Sequence, residues 1–230
     1  MKKSKNFTKD KWLSKITGKN SYKCKNTNFG EKDYPKDIDF LYTKIDHRNN
    51  EKIINLKKKN FKFINKSILF KKKISRSEQN ISNIRKAKKK DKVLKKKIAI
   101  KNLNTSRFNL DNKTKKYAGL IKSEWINNFF KKKRGDELYL IEYSNKIAGF
   151  ILLLSDKKKV TIDLIAIDKK YQKKGFGTNL IKFVETLYYG KFNYINVVTQ
   201  SNNKNSLIFY KKNNFKIYKK ELVFHKHFKS

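Results

Sequence analysis

An α/β fold with a sheet flanked by helices is what the sequence predicts, and three observations carry it. Apolar residues recur at three- and four-residue spacing in two stretches of the C-terminal half, aliphatic runs of strand length lie between and after them, and a glycine-bearing loop joins one such run to the second helix. With 37% hydrophobic and 13% aromatic residues among 230, the chain holds enough apolar material to pack a core.

A search for internal repetition organises the N-terminal part. Residues 40–74 align without a gap on residues 194–228 at a constant offset of 154, bringing Asn49 onto Asn203, Leu56 onto Tyr210, Asn60 onto Asn214, Phe61 onto Phe215 and Phe70 onto Phe224. Aligned aromatic and apolar positions carry weight in a lysine-rich chain where lysine matches are cheap. Residues 1–75 are therefore expected to form a smaller unit, a reduced copy of the C-terminal one. Residues 76–104, dense in lysine and thin in apolar support, read as a basic linker or exposed helix, and residues 105–230 as the main domain.

Within that domain, Tyr117, Leu120, Ile121, Trp125 and Phe129 mark an amphipathic helix between 114 and 130, expected to cover a sheet. Glu137–Tyr143 and Ile147–Leu154 flank the short polar turn Ser144-Asn145-Lys146 as a β-hairpin, and Val160–Asp168 is a third strand. Leu180, Ile181, Val184, Leu187 and Tyr188 define a helix from Asn179 to Tyr189, stopped by Gly190. Tyr194–Thr199 is again a strand and 204–213 a short helix. Phe215–Tyr218 and Leu222–Phe228 read as a closing hairpin.

The formal charge of +41 invites a nucleic-acid partner, since phosphate contacts gain affinity by counterion release. The composition argues otherwise. Arg48, Arg76, Arg85, Arg107 and Arg134 are the only arginines, and arginine is the residue suited to bidentate phosphate and base contacts. Abundant lysine, asparagine and isoleucine match the drift of an AT-rich genome, so no specific nucleic-acid partner is expected. No run approaches the roughly 18 apolar residues of a membrane span, and the polar start MKKSKNFTKDKW lacks a signal-peptide core. No membrane insertion and a cytoplasmic location are the expectation. The lone Cys24 has no partner for a disulfide or a metal site.

The chemistry centres on Gln172-Lys173-Lys174-Gly175-Phe176-Gly177-Thr178, placed between a strand and a helix N-terminus. Unpaired backbone N–H groups and the positive end of the helix dipole meet there, and two glycines let the backbone approach an anion, of which a diphosphate is the natural example. A dinucleotide fingerprint is set aside because Leu180 stands where its third glycine would be, and no phosphate-binding G-x-x-x-x-G-K-[ST] is present.

Taken in order, strand Ile162–Asp168, the Gln172-x-x-Gly175-x-Gly177 loop, Asn203-x-x-Ser206, Tyr210 and Asn213-Asn214-Phe215 resemble the acetyl-CoA-binding half of the GNAT acetyltransferases, over residues 138–228. More narrowly, Ser106–Asp111, the Trp125-bearing helix and the ending VFHKHF resemble the branch that serves nucleotide-sugar loci, the dTDP-fucosamine acetyltransferase type, whose members also carry a reduced N-terminal half of the same fold.

The resemblance implies a mixed, mostly antiparallel sheet, and acetyl-CoA as the acetyl donor. Backbone groups of Ile165, Ala166 and Ile167 would pair with the pantetheine arm, amides from Gln172 to Thr178 (through Lys173, Lys174, Gly175, Phe176 and Gly177) would hold the diphosphate, and Asn203 and Ser206 would contact the cofactor. Tyr210 would protonate the leaving thiolate. Attack of an amine on a thioester calls for such an acid and for an N–H donor to the oxyanion. Asp163 and Glu137 are candidate bases for the substrate ammonium. Arg107 and Asp111 are substrate contacts only through the narrower resemblance. His225 and His227 alternate onto one face of the last strand and are placed with the substrate as well, with no third metal ligand in view.

The expected substrate is a small-molecule amine, foremost a nucleotide-linked amino sugar for surface polysaccharide, and a homodimer is allowed. A protein N-terminus or lysine as acceptor, and a noncatalytic binding module on the same scaffold, are the competing readings. Asn214 replaces the glycine usual before phenylalanine in the family, which a helix C-cap tolerates because asparagine accepts the left-handed conformation. With Leu56 at the place of Tyr210 and no glycine loop, the N-terminal unit is expected to bind no acetyl-CoA.

Overall fold

A computed structural model describes residues 6–76, 82–91, 106–156 and 158–228. The strands are β1 (Phe7–Lys9), β2 (Ser21–Cys24), β3 (Phe40–Asp46), β4 (Lys62–Lys73), β5 (Ile84–Lys86), β6 (Glu137–Tyr143), β7 (Lys146–Asp156), β8 (Lys159–Ile167), β9 (Tyr194–Gln200) and β10 (Lys216–His227). They form one sheet in the order β1-β2-β3-β10-β4-β9-β8-β7-β6-β5, antiparallel except for β2/β3 and β8/β9. The helices are α1 (Lys11–Thr17), α2 (Asn50–Lys58), α3 (Arg107–Leu110), α4 (Ala118–Phe130), α5 (Phe176–Tyr188) and α6 (Lys204–Lys212). Among the described residues no helix is long and apolar enough to cross a membrane.

The repeat seen in the sequence is present as structure. β3, α2 and β4 have the same lengths as β9, α6 and β10, each displaced by the same 154 residues. Asn49 and Asn203 both cap their helices through the side chain, and Asn60 (φ 60°) and Asn214 (φ 62°) both take the left-handed conformation two residues past the helix end. The pairing Glu221↔Asp46 repeats as Ser67↔Gln200, and Glu221 pairs with its own counterpart Ser67. An approximate two-fold axis therefore passes between β4 and β10, and each unit lends its last strand to the other. Tyr210 accordingly packs on Phe70, and Leu56 shares a core cluster with Phe224.

This exchange corrects the expected closing hairpin. Lys219-Lys220-Glu221 contain no turn former, and β10 runs unbroken through them, with one bulge at Tyr218, because β3 and β4 offer pairing along its whole length. The hairpin β6/β7 forms as expected, with Ser144 (φ 48°) and Asn145 (φ 58°) both at positive φ in a two-residue turn that suits the strand twist.

Helix α4 differs in detail. A 3₁₀ turn precedes it, and its buried side is Ala118, Ile121, Lys122, Ile126 and Asn127, while Leu120 is half exposed. The stripe read from the sequence is rotated because Trp125 turns aside to a polar partner on β8. Of the stretch expected as linker or helix, residues 84–86 form the edge strand β5 on β6, and much of the rest lies outside the described residues.

Candidate functional site

β8 and β9 run side by side only from Lys159↔Tyr194 to Ile162↔Val197. Beyond that point β8 continues to Ile167 on β7, and β9 continues to Gln200 on β4, so the two diverge. The cause is local: the register of β7 and β8 slips between Leu153↔Ile162 and Leu152↔Leu164, which makes Asp163 a bulge residue and bends β8 away. Among the described residues no strand pairs with Asp163 to Ala166 on the β9 side. An extended arm can add there as a strand would.

At the end of β8 the Gln172 side chain donates to the Ile167 carbonyl at 3.0 Å, tying the loop to the strand. Lys173 (φ 64°) and Gly175 (φ 84°) then turn the chain into α5, whose N-terminus no side chain caps. The first-turn amides of Phe176, Gly177 and Thr178 are thus available to an anion, with the helix dipole behind them. The two glycines differ in purpose. A Cβ on Gly175 would stand in open space in front of the helix, whereas one on Gly177 would meet the Phe209 ring at 2.9 Å, so Gly177 lets α5 and α6 close on each other.

On α6, Asn203 uses its carboxamide oxygen to cap the helix through the Ser206 amide at 3.2 Å. One turn from the other end, Tyr210 is buried against Phe70, Phe209 and Phe215, with ring centroids 5.2–5.6 Å apart. Burial raises its phenol above the ordinary value of 10. The hydroxyl is therefore a donor that stays protonated at neutral pH.

Both carboxylates read as candidate bases are held by side-chain donors. Asp163 accepts from Trp125 Nε1 at 2.7 Å and from the Arg134 guanidinium at 2.8 and 2.6 Å, and its side chain is 5% exposed. Donors occupy both of its oxygens, and these contacts fasten α4 and the segment after it onto the bulge. Glu137 accepts from Lys86, Tyr139 and Tyr188. Tyr188 ends α5, so Glu137 lies about 18 Å along a 13-residue helix from the loop at its start. We expect Asp163→Asn to lower Tm by roughly 5–15 °C, the result of leaving Arg134 and Trp125 without their acceptor, while kcat changes less than about threefold. Turnover reduced by roughly two orders of magnitude or more in the folded variant would return Asp163 to the role of base.

The four residues assigned to substrate come together on the face covered by α1, α3 and α4. One Asp111 oxygen accepts from His225 Nδ1 at 2.6 Å and from His227 Nε2 at 2.8 Å. Arg107 stacks on Tyr42 at 3.9 Å and on Phe108 at 4.5 Å, and Tyr42 donates to Asp10, the cap of α1. Trp12 on α1 meets Trp125 edge-on at 6.3 Å, so a chain of contacts links Arg107 through Tyr42 and the surrounding core to the Asp163 bulge. Asp10, Trp12, Tyr42 and Lys44, whose ammonium burial pushes downward, are polar members that the sequence reading misses. They lie in a segment without a motif, and only the strand exchange brings them here.

A family model described as acetyltransferase (GNAT) family matches residues 100–215. Among curated protein sequences none matches. Among solved structures, a functionally unknown conserved protein from Staphylococcus epidermidis superposes with a TM-score of 0.65 at 12% identity, covering 90% of this chain and 84% of that one. A tandem GNAT protein from the clavulanic acid biosynthesis pathway gives 0.58 at 9% identity, over 91% and 76% of the two chains. A GCN5-related N-acetyltransferase from Sphaerobacter thermophilus gives 0.57 at 10%, over 82% and 59%. At such identities the likeness is one of fold, and it extends across both repeated units.

Proposed function

The chain belongs to the GNAT acetyltransferase family, and from that premise we propose that it transfers acetyl from acetyl-CoA directly to a primary amine, carried on a nucleotide-linked sugar. The observation that carries the reading is the opening between β8 and β9, which runs into the uncapped start of α5. A strand edge for an amide-bearing arm and a helix N-terminus for a diphosphate stand in line there, and the open space before Gly175 leaves room for the anion. The residues present thus fit acetyl-CoA, which supplies the activated acetyl group.

In this reading Ile165, Ala166 and Ile167 align the arm through their backbone, and the amides from Gln172 to Thr178 hold the diphosphate. Asn203 and Ser206, at the start of α6, contact the cofactor. Tyr210 donates its proton to the departing sulfur, a role that its high proton affinity reserves for the moment when full negative charge develops. With Asp163 and Glu137 occupied, the substrate ammonium loses its proton to solvent before attack. Arg107 and the aromatic groups around it form the acceptor side, and the N-terminal unit, with a four-residue β2 where β8 has nine residues, is a reduced copy that serves as part of the acceptor wall.

A pH profile follows. The amine must be neutral, so the rate rises with pH up to the amine's own pKa; the Tyr210 phenol must be protonated, and its raised pKa places the alkaline fall above pH 10. An acid limb that keeps the same midpoint with amines of different pKa would point to an enzyme base instead. The substrate class is tested by turnover with acetyl-CoA against amino sugars on dTDP and UDP, beside peptides with free N-termini or lysines. Turnover confined to the peptides would overturn the sugar assignment.

A further inference from the structure

Asp111, His225 and His227 satisfy one another in a manner that also describes something else. Two imidazoles from alternate positions of β10 and one carboxylate from the segment after α3 direct three ligand atoms into one point, all within 4.8 Å of each other. We propose that these residues form a binding site for one divalent transition-metal ion of the zinc type, a site separate from the acetyl-transfer centre. Two histidines and one carboxylate at this spacing are a ligand set for such an ion, and too few oxygens for calcium or magnesium.

The surroundings are built for it. The other Asp111 oxygen accepts from the Lys113 amide at 3.0 Å, and the Asp111 carbonyl accepts from the amides of Thr114 and Lys115, both at 2.9 Å, so the carboxylate is aimed before any ion arrives. Both histidines lie against the Phe40 ring with centroids at 4.9 Å, which fixes their planes. His225 is almost wholly enclosed, so its ring is held in place before any ion arrives. His225 Nε2 and His227 Nδ1 are buried and without a partner among the described residues. On metal binding each ring keeps one proton, which moves from the nitrogen facing Asp111 to that opposite nitrogen; the freed lone pairs and the carboxylate then take the ion, and a water completes a four-coordinate shell.

The ion would clip residue 111 to residues 225 and 227, closing a loop of more than a hundred residues and fixing α3, with Arg107, over β3 and β10. The test uses the full chain, stripped with a chelator and titrated with Co²⁺ while the visible ligand-field absorption is recorded. One equivalent of Co²⁺ should produce the intense band of a four- or five-coordinate site, Zn²⁺ should abolish it, and Zn²⁺ at about 100-fold above Kd should raise Tm by about 5–10 °C. His227→Ala and Asp111→Asn should lose the band. Should either variant fail to fold, the titration of the unmodified chain still decides. Absence of both the band and the Zn²⁺-dependent rise in Tm, in a folded chain, would overturn the proposal and leave a hydrogen-bonded triad; acetyl transfer by that same chain would be unaffected.

Discussion

Tyr210→Phe is expected to lower kcat by roughly 10²–10⁴-fold and to leave acetyl-CoA affinity within a few-fold of the unmodified chain. The substitution keeps the ring that packs on Phe70, Phe209 and Phe215 and removes only a hydroxyl whose burial holds it protonated. The repeated unit supplies the control. Leu56, fully buried at the equivalent position, has no proton to give, so Leu56→Ala should cost about 2–5 kcal/mol of stability through the cavity it leaves while kcat at a temperature where the variant is folded stays unchanged. Steady-state kinetics on the two variants separates packing from chemistry. If folded Tyr210→Phe turns over at nearly the parental rate, the proton comes from elsewhere and the role given to Tyr210 is wrong.

Gly175→Val should weaken acetyl-CoA binding roughly 30- to 1000-fold, as read by calorimetric titration. Two effects add. A branched side chain at φ 84° is strained and pushes the turn to relax, and its methyl groups enter the space before the first-turn amides that an anion must reach. Two or three charge-assisted hydrogen bonds are then lost or lengthened, each worth about 1–3 kcal/mol. The cost to the fold should be confined to that backbone strain, about 1–2 kcal/mol, since nothing lies within 4 Å of the added Cβ. Unchanged affinity in a folded variant would remove the loop from the cofactor site.

The parts of this protein legible in its sequence are those written in local pattern. The hairpin turn, the glycine loop, the left-handed Asn214 after its helix, and the offset of 154 residues all rest on residues that dictate backbone locally, and each is found where the pattern places it. What is not legible depends on partners distant in the chain. β10 reads as two short strands because nothing local shows that β3 and β4 will flank it. Asp163 and Glu137 read as free carboxylates because Arg134, Trp125 and Tyr188 reach them only through tertiary packing. Asp111 cannot be joined to His225 and His227 across 114 positions without the sheet that carries them.

The most direct test of the account is a crystal structure of the full chain with acetyl-CoA bound. The pantetheine arm is expected to lie along Asp163–Ile167 in the opening beside β9, with the diphosphate against the amides of Phe176 to Thr178 and the sulfur within hydrogen-bond reach of the Tyr210 hydroxyl. Acetyl-CoA bound elsewhere on the chain, or a sulfur remote from Tyr210 with the opening between β8 and β9 empty, would contradict it.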